Sequence, residues 1–122
     1  MTPPIVQACL QSPAVTALLG SGTDMRLYSF GEAEQGVTKP YAVWQVVNGS
    51  PENYLAGRPD ADGITLQVDI YATTGQKARQ VRDAMRDAIE LEAYITRWGA
   101  EGRDPATNNF RASFDVDWWV SR

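Results

Sequence analysis

The chain has no histidine and only one cysteine, so it lacks the side chains on which most catalytic and transition-metal sites depend. Histidine is the usual general base near neutral pH and a common metal ligand, and a zinc site of ordinary type needs several Cys or His ligands. Cys9 has no second cysteine with which to form an intrachain disulfide. The apolar sequence around it favours a buried structural thiol over a reactive one.

Long apolar runs and an excess of basic charge are also missing. No stretch approaches the ~18 apolar residues of a membrane span, and the first residues lack the basic start and apolar core of a signal peptide. We therefore expect synthesis in the cytoplasm and no contact with a membrane. The formal net charge is −4, which disfavours general nucleic-acid binding because such binding needs clustered basic residues.

The common catalytic motifs are absent as well. Neither the GxSxG turn of hydrolases nor the GxxxxGK[ST] loop that holds phosphate occurs in the chain. We predict a protein that is not an enzyme and that uses no cofactor and no metal.

What remains is the composition of one folded domain. Hydrophobic residues make up 43% of the 122 residues and charged residues 21%, which is ordinary for a globular chain. This length suits one hydrophobic core. We expect a single domain over residues 1–122.

Hydrophobic periodicity predicts the secondary structure. ITLQVDIY, from Ile64, alternates apolar and polar residues as a strand does, and so does FRASFDVDWWV, from Phe110. Residues 25–30 and 41–47 read as further strands, and 91–98 as a short strand or an extended connection. Helical spacing follows Thr73 or Thr74, and a pair of short helices broken near Ser12 opens the chain. These elements predict an α+β fold with an about four-stranded, mainly antiparallel sheet and two or three helices packed on one face.

Polar segments rich in Gly and Pro predict loops at residues 31–39, 48–63 and 99–109. A connection as long as 48–63 is uncommon inside a compact domain and is usually functional or mobile. We therefore expect this loop to be functional or mobile.

Acidic residues stand on the polar side of the strongest strands. Asp69 lies on the polar side of the strand that starts at Ile64, and Asp115 and Asp117 lie on the polar side of the last strand. If the two strands are neighbours, the three carboxylates could converge on a hard cation such as Mg²⁺ or Ca²⁺. The alternative, which we favour, is a solvated sheet face or pairing with Arg111 or with an arginine of another subunit.

The same polar side carries two aromatic residues, Tyr71 and Trp119. Aromatic residues bordered by charge suit an interface with a hydrophobic centre and a polar rim, so both are candidate contact residues, with Asp115 and Asp117. The alternative is that Trp118 is the buried member of the pair and Trp119 merely packs on its neighbours.

Several segments together resemble one phage family. They are the broken helix LQSPAVTALLG, the strand start PYAVWQ, the turn Gly49-Ser50-Pro51, the segment QVDIYA followed directly by a helix, and the closing strand FRASFDVDWWV. Over residues 4–120 the chain is similar to the phage tail-completion family, the tail terminators or head-to-tail joining proteins of long-tailed phages.

The resemblance implies a virion protein that forms a ring, usually a hexamer, on the last ring of the tail tube. Such a ring ends tail polymerisation and presents the surface to which the filled head docks. The implied partners are further copies of the chain, the tail tube protein and a head-completion or connector protein, with DNA only in transit through the lumen. The contact surfaces that the resemblance implies are the loops at residues 31–39 and 48–63 and the polar sheet face. In the second loop the candidate contact residues are Glu52, Tyr54, Arg58 and Asp60. The implied location is the tail–head junction of the virion, after assembly in the host cytoplasm.

Two alternatives remain open at this point. One is a head–tail connector or neck component that joins head to tail without controlling tail length. The other is a small regulatory or ligand-binding α+β domain with a pocket under the loop at residues 48–63.

Overall fold

The structure is a computed structural model that describes residues 4–33, 36–52, 61–99, 101–105 and 109–121. Within these ranges the chain forms three α-helices, one 3-10 turn at Gly22–Asp24, and six strands. In chain order they are α1 (Ile5–Leu10), α2 (Pro13–Leu19), β1 (Leu27–Ser29), β2 (Tyr41–Glu52), β3 (Ala61–Ala72), α3 (Gly75–Ile89), β4 (Tyr94–Trp98), β5 (Gly102–Asp104) and β6 (Asn109–Ser121).

The break between α1 and α2 lies where the sequence predicts it. Pro13 occupies the first turn of α2, where a missing N–H costs nothing. The Ser12 side chain caps this helix, because its Oγ accepts a hydrogen bond from the Val15 N–H at 3.3 Å. Gly20 ends the helix with a φ of +96°, and a Cβ there would lie 2.8 Å from the Asp24 carbonyl oxygen.

The main helix, α3, is capped at its start by Thr74, one of the two predicted caps. The Thr74 Oγ1 accepts a hydrogen bond from the Lys77 N–H at 3.1 Å. One side of the helix is buried against the sheet. The buried residues of α3 are Ala78, Val81, Ala84, Met85, Ala88 and Ile89.

The strands form one mixed sheet in the order β1-β2-β3-β6-β4, with β5 beside the first residues of β6. β1 pairs with β2 in parallel, and the other pairs are antiparallel. The predicted α+β class is confirmed. The prediction of about four mainly antiparallel strands is wrong, because the sheet has six strands within the described ranges and is mixed. Strand direction and pairing are long-range properties that local periodicity does not contain.

The largest correction concerns the predicted loop at residues 48–63. The pairing of β2 with β3 runs from Tyr41↔Tyr71 to Glu52↔Ala61, so residues 48–52 and 61–63 are strand. β3 also pairs with β6 along its whole length, from Ala61↔Ser121 to Ala72↔Phe110. Residues 61–63 therefore have a strand on both sides, and residues 48–52 have β3 on one side. This pairing overrides the turn preference of their glycine and proline residues. Val47 is the extra residue of a bulge in β2.

Two further strands lie where the sequence was ambiguous or predicted a turn. Residues 91–98, open between a short strand and an extended connection, contain β4, which pairs with β6. The predicted turn region at 99–109 contains β5. Both strands are short, and pairing with β6 defines them.

The core lies between the helices and one face of the sheet. Alternate residues of β3 and β6 supply its sheet side: Ile64, Leu66, Val68, Ile70, Ala112, Phe114, Val116 and Trp118. Cys9 is fully buried in this core, as predicted, and burial raises the pKa of its thiol to about 12. Among the described residues, no helix is long and apolar enough to cross a membrane.

Candidate interaction surface on the open sheet face

The other sheet face, here called the open face, lies opposite the helices and carries the candidate surface. The strand register decides its membership, because residues paired across neighbouring strands project to the same side. Its described side chains include Tyr28, Tyr41, Thr65, Gln67, Asp69, Tyr71, Arg97, Arg111, Ser113, Asp115, Asp117 and Trp119.

One end of the open face is a row of tyrosines. Tyr41 and Tyr71 are cross-strand partners, and their rings stack with centroids 5.1 Å apart. The Tyr28 ring meets Tyr41 edge-on at 6.4 Å. Burial raises the pKa of Tyr71, and the nearby Asp69 carboxylate raises it further. The Tyr71 hydroxyl therefore keeps its proton through the physiological range and remains a hydrogen-bond donor.

Beside these tyrosines lies a partly buried ion pair. The Arg111 Nη2 is 2.8 Å from the Asp69 Oδ1, and Asp69 is only 9% exposed. The Gln67 amide donates hydrogen bonds to both Asp69 oxygens at 3.2 and 3.3 Å. The hydrogen bond to Asp69 raises the pKa of Arg111. Pairing with Arg111, one of the predicted alternatives, is thus what the structure shows for Asp69.

The other two carboxylates have partners of their own. β3 and β6 are neighbours, which is the condition for convergence on a cation, but the three acids lie on separate register rows. Asp115 pairs with the Arg97 Nε at 2.9 Å, and Asp117 accepts a hydrogen bond from the Thr65 hydroxyl at 2.6 Å. No group of three His, Cys, Asp or Glu side chains within the described ranges could hold a metal ion.

The far end of the open face carries Trp119. This residue is 52% exposed, whereas its neighbour Trp118 is 2% exposed and belongs to the core. Trp119 lies against its strand partner Gly63, where a Cβ would come within 3.0 Å of the indole Cζ3. Trp118 is therefore the buried member of the pair, and Trp119 both packs on its neighbour and faces outward.

The predicted contact residues do not form one patch. Tyr71 pairs with Arg111, and Trp119 pairs with Gly63, so eight residues of β3 separate the two aromatic ends. At a rise of about 3.4 Å per residue the separation is roughly 27 Å. Asp115 and Asp117 lie between the two ends. Glu52 is in β2, opposite Ala61, and Tyr54, Arg58 and Asp60 lie outside the described residues.

Sequence reasoning missed several members of the open face. Tyr41 could have been found, because the alternation of β2 places it on the other face of the strand from its buried neighbour Ala42. Arg97 could not have been assigned to the open face from the sequence, because the extra residue Thr96 in β4 shifts the alternation of that strand.

The chain is thus an α+β protein whose sheet has helices on one face, and aromatic residues and paired charges on the other. Its sequence matches the family model of the tail completion protein gp17 over residues 3–121. The chain belongs to this family, which confirms the resemblance and gives the protein a structural role in a phage virion.

Known structures contain the same fold. A chain from the virion of a native gene transfer agent (GTA) particle superimposes with a TM-score of 0.70, covering 97% of this chain and 92% of that chain. The two sequences are 12% identical, so the similarity is one of fold. The comparison with curated proteins found no match.

Proposed function

We propose that the protein is a non-enzymatic virion assembly protein that forms a ring on the end of the tail tube. The ring ends tube polymerisation and provides the surface to which the filled head docks. The observation that carries this proposal is the family match, which extends over residues 3–121. The fold shared with a chain of a gene transfer agent virion supports the same role.

The two sides of the molecule suit ring formation. One side of the sheet is covered by helices, and the open face carries aromatic groups and ion pairs. Different surfaces on two sides of one chain favour heterologous contacts. Such contacts close into a ring when a whole number of the rotations between neighbouring subunits makes one full turn. The stacked Tyr41 and Tyr71 and the half-exposed Trp119 are the type of residues that anchor protein interfaces.

The charge suits a channel for DNA. The net charge of −4 leaves no general excess of cations to hold phosphate. DNA would therefore pass through the lumen of such a ring without being retained.

The deciding experiment is negative-stain electron microscopy of the source phage with this gene disrupted, beside the same phage complemented with the wild-type gene. Filled heads next to unattached tails of uncontrolled length are the expected result. Tails of normal length that fail to join would instead assign a connector role without length control. Intact infectious virions would overturn both, leaving a regulatory or ligand-binding domain as the working hypothesis.

A second test addresses the predicted contact segment between β2 and β3. Complementation with a variant that reverses the charges of Glu52, Arg58 and Asp60 is expected to give folded protein but no joined virions. A charge reversal at Glu90, an exposed residue after α3, is the control and should restore infectivity. Normal virions from the triple variant would show that this segment is not a contact surface.

A further inference from the structure

Two strand edges of the sheet are open in the half of the molecule that contains Trp119. β1 pairs with β2 only at Ala42–Trp44, which leaves residues 45–52 without a neighbour on that side among the described residues. On the opposite side, β4 reaches β6 only as far as Asp117, which leaves residues 118–121 equally open. Apart from the pairing of β2 and β6 with β3, no backbone hydrogen bond given for the described residues involves either stretch.

Open edges matter because their N–H and C=O groups can pair with a strand of another chain. Monomeric proteins usually protect such edges with short strands, bulges or proline. The other half of this sheet is protected in that way, since β1 has three residues and β4 contains a bulge at Thr96. The β2 edge has a bulge at Val47 and a proline at Pro51, and the backbone of residues 48–50 between them is left free to pair.

The two open edges are compatible with each other. β2 and β6 are both antiparallel to β3 and therefore run in the same direction. A rotation about an axis along the strands brings the β6 edge of one copy beside the β2 edge of the next without reversing either strand. The stretches that can pair are similar in length, because residues 48–50 are three residues and 118–121 are four. Unlike edges on opposite sides of one sheet produce a heterologous contact, which is the kind that closes into rings.

Apolar side chains lie beside these edges. Val46 and Val47 are 44% and 48% exposed, and Trp119 is 52% exposed. Pairing between copies would bring apolar groups at both edges towards a shared boundary, where their burial adds to the main-chain hydrogen bonds.

We propose that residues 48–50 of one copy pair with residues 118–121 of the next, so that the sheets of neighbouring subunits join edge to edge around the ring. This inference rests on the ring function proposed above and names the strands that would form the contact between subunits.

Site-directed crosslinking in assembled virions tests the pairing. The double variant Asn48→Cys/Ser121→Cys is introduced into the phage, and purified virions are treated with a short bismaleimide and immunoblotted for this protein. Native Cys9 is fully buried, so it contributes no background. The expected result is a ladder of covalent multimers from the double variant and none from either single variant. Dimers from a single variant would show pairing of like edges and would overturn the proposal.

A control pair on the helical side separates edge pairing from general proximity. Gln7→Cys/Glu90→Cys places two exposed thiols on the other side of the molecule, and no ladder is expected from it. A ladder from this pair alone would assign the subunit contact to the helices and overturn the edge pairing. Normal virions of the double variant Asn48→Cys/Ser121→Cys that give no ladder would also overturn the edge pairing.

A charge placed at the edge supplies a second readout. Val47→Lys is added to the double-cysteine variant. It is expected to leave the protein folded, but to abolish the ladder and to lower the phage titre at least tenfold. Gln80→Lys changes an exposed residue of α3, the helix whose first residue Gly75 lies near Phe110 at the other end of β6, and should leave both unchanged. An undiminished ladder and titre with Val47→Lys would count against the pairing. The gene disruption tests the proposed function separately. If disruption gives the tail defect but the double-cysteine variant gives no crosslinks, the ring function stands and only the proposed edge contact is rejected.

Discussion

Arg111 and Asp69 form their ion pair diagonally across β3 and β6. In the register, Asp69 is opposite Ser113 and Arg111 is opposite Tyr71, yet the Arg111 Nη2 reaches the Asp69 Oδ1 at 2.8 Å. The Asp69 side chain is 12% exposed, whereas the Arg111 side chain is 48% exposed. The arginine thus lies beside the carboxylate, which is 12% exposed with the arginine in place, and supplies its charged partner.

Removing the arginine is therefore expected to destabilise the protein. Arg111→Met should lower the free energy of unfolding by roughly 1–2 kcal/mol, because a shielded carboxylate loses its charged partner while the Gln67 hydrogen bonds remain. Urea denaturation measures the change. Arg79→Met is the control, since Arg79 and Glu101 form a bidentate pair on the solvent side, and it should have little effect. Equal losses from the two variants would contradict this account.

The close approach of Gly99 to β6 makes a second prediction. Gly99 donates its N–H to the Ser113 carbonyl oxygen at 2.9 Å, and a Cβ at this position would overlap the Ser113 Oγ and lie 3.1 Å from that carbonyl oxygen. Gly99→Ala should therefore cost about 1–3 kcal/mol by overpacking.

Gly102 provides the matched control for Gly99. A Cβ at Gly102 would meet nothing within 4 Å, so Gly102→Ala should leave the thermal midpoint almost unchanged. If the two alanine variants melt together, the approach of Gly99 to Ser113 is not a constraint on the fold.

The buried thiol predicts a specific pH dependence. Burial raises the pKa of Cys9 from 9.0 to about 12, so the unfolded chain loses this proton at a lower pH than the folded chain. The stability contribution is fully present well below pH 9 and is lost, by roughly 1 kcal/mol for each pH unit, as the pH rises from 9 towards 12.

The difference between the wild type and Cys9→Ala isolates this contribution from the titration of other groups. The variant loses packing at every pH, but its unfolding free energy should fall less steeply above pH 9. Urea denaturation at pH 8 and pH 10.5 makes the comparison. Parallel decreases in the two proteins would show that the thiol ionises equally in the folded and unfolded chains.

The adjacent tryptophans should respond in opposite ways to substitution. Trp118 is 2% exposed, so Trp118→Ala should cost about 3–5 kcal/mol and greatly reduce the amount of folded protein. Trp119→Ala, at a residue that is 52% exposed, should cost about 1 kcal/mol or less but lower the titre of a complemented phage. Thermal melting and plaque counts test the two effects. A full titre with Trp119→Ala would remove this residue from the contact surface.

The elements that the sequence predicts well are those in which local and long-range preferences agree. The alternation from Ile64 gives the correct strand because one face of β3 is buried along that stretch. Pro13 and Thr74 give correct helix starts because backbone chemistry within one turn decides them.

Elements defined by distant partners were missed. Residues 48–52 and 61–63 contain the glycine, proline and polar residues of a turn, but pairing with neighbouring strands makes them extended. The open face shows the same division. Alternation places Asp69, Asp115 and Asp117 on one side correctly, whereas their separate partners depend on register and on the bulge in β4.

The alternation of β3 and β6 also has an evolutionary consequence. From Ile64 to Ala72 and from Ala112 to Trp118 every second residue enters the core, and the residues between them lie on the open face. Substitutions at the outward positions can change the chemistry of the open face without altering core packing. The fold and the chemistry of this face can therefore diverge at different rates in one chain, and the proposed contacts could be altered by changes confined to one side of the sheet.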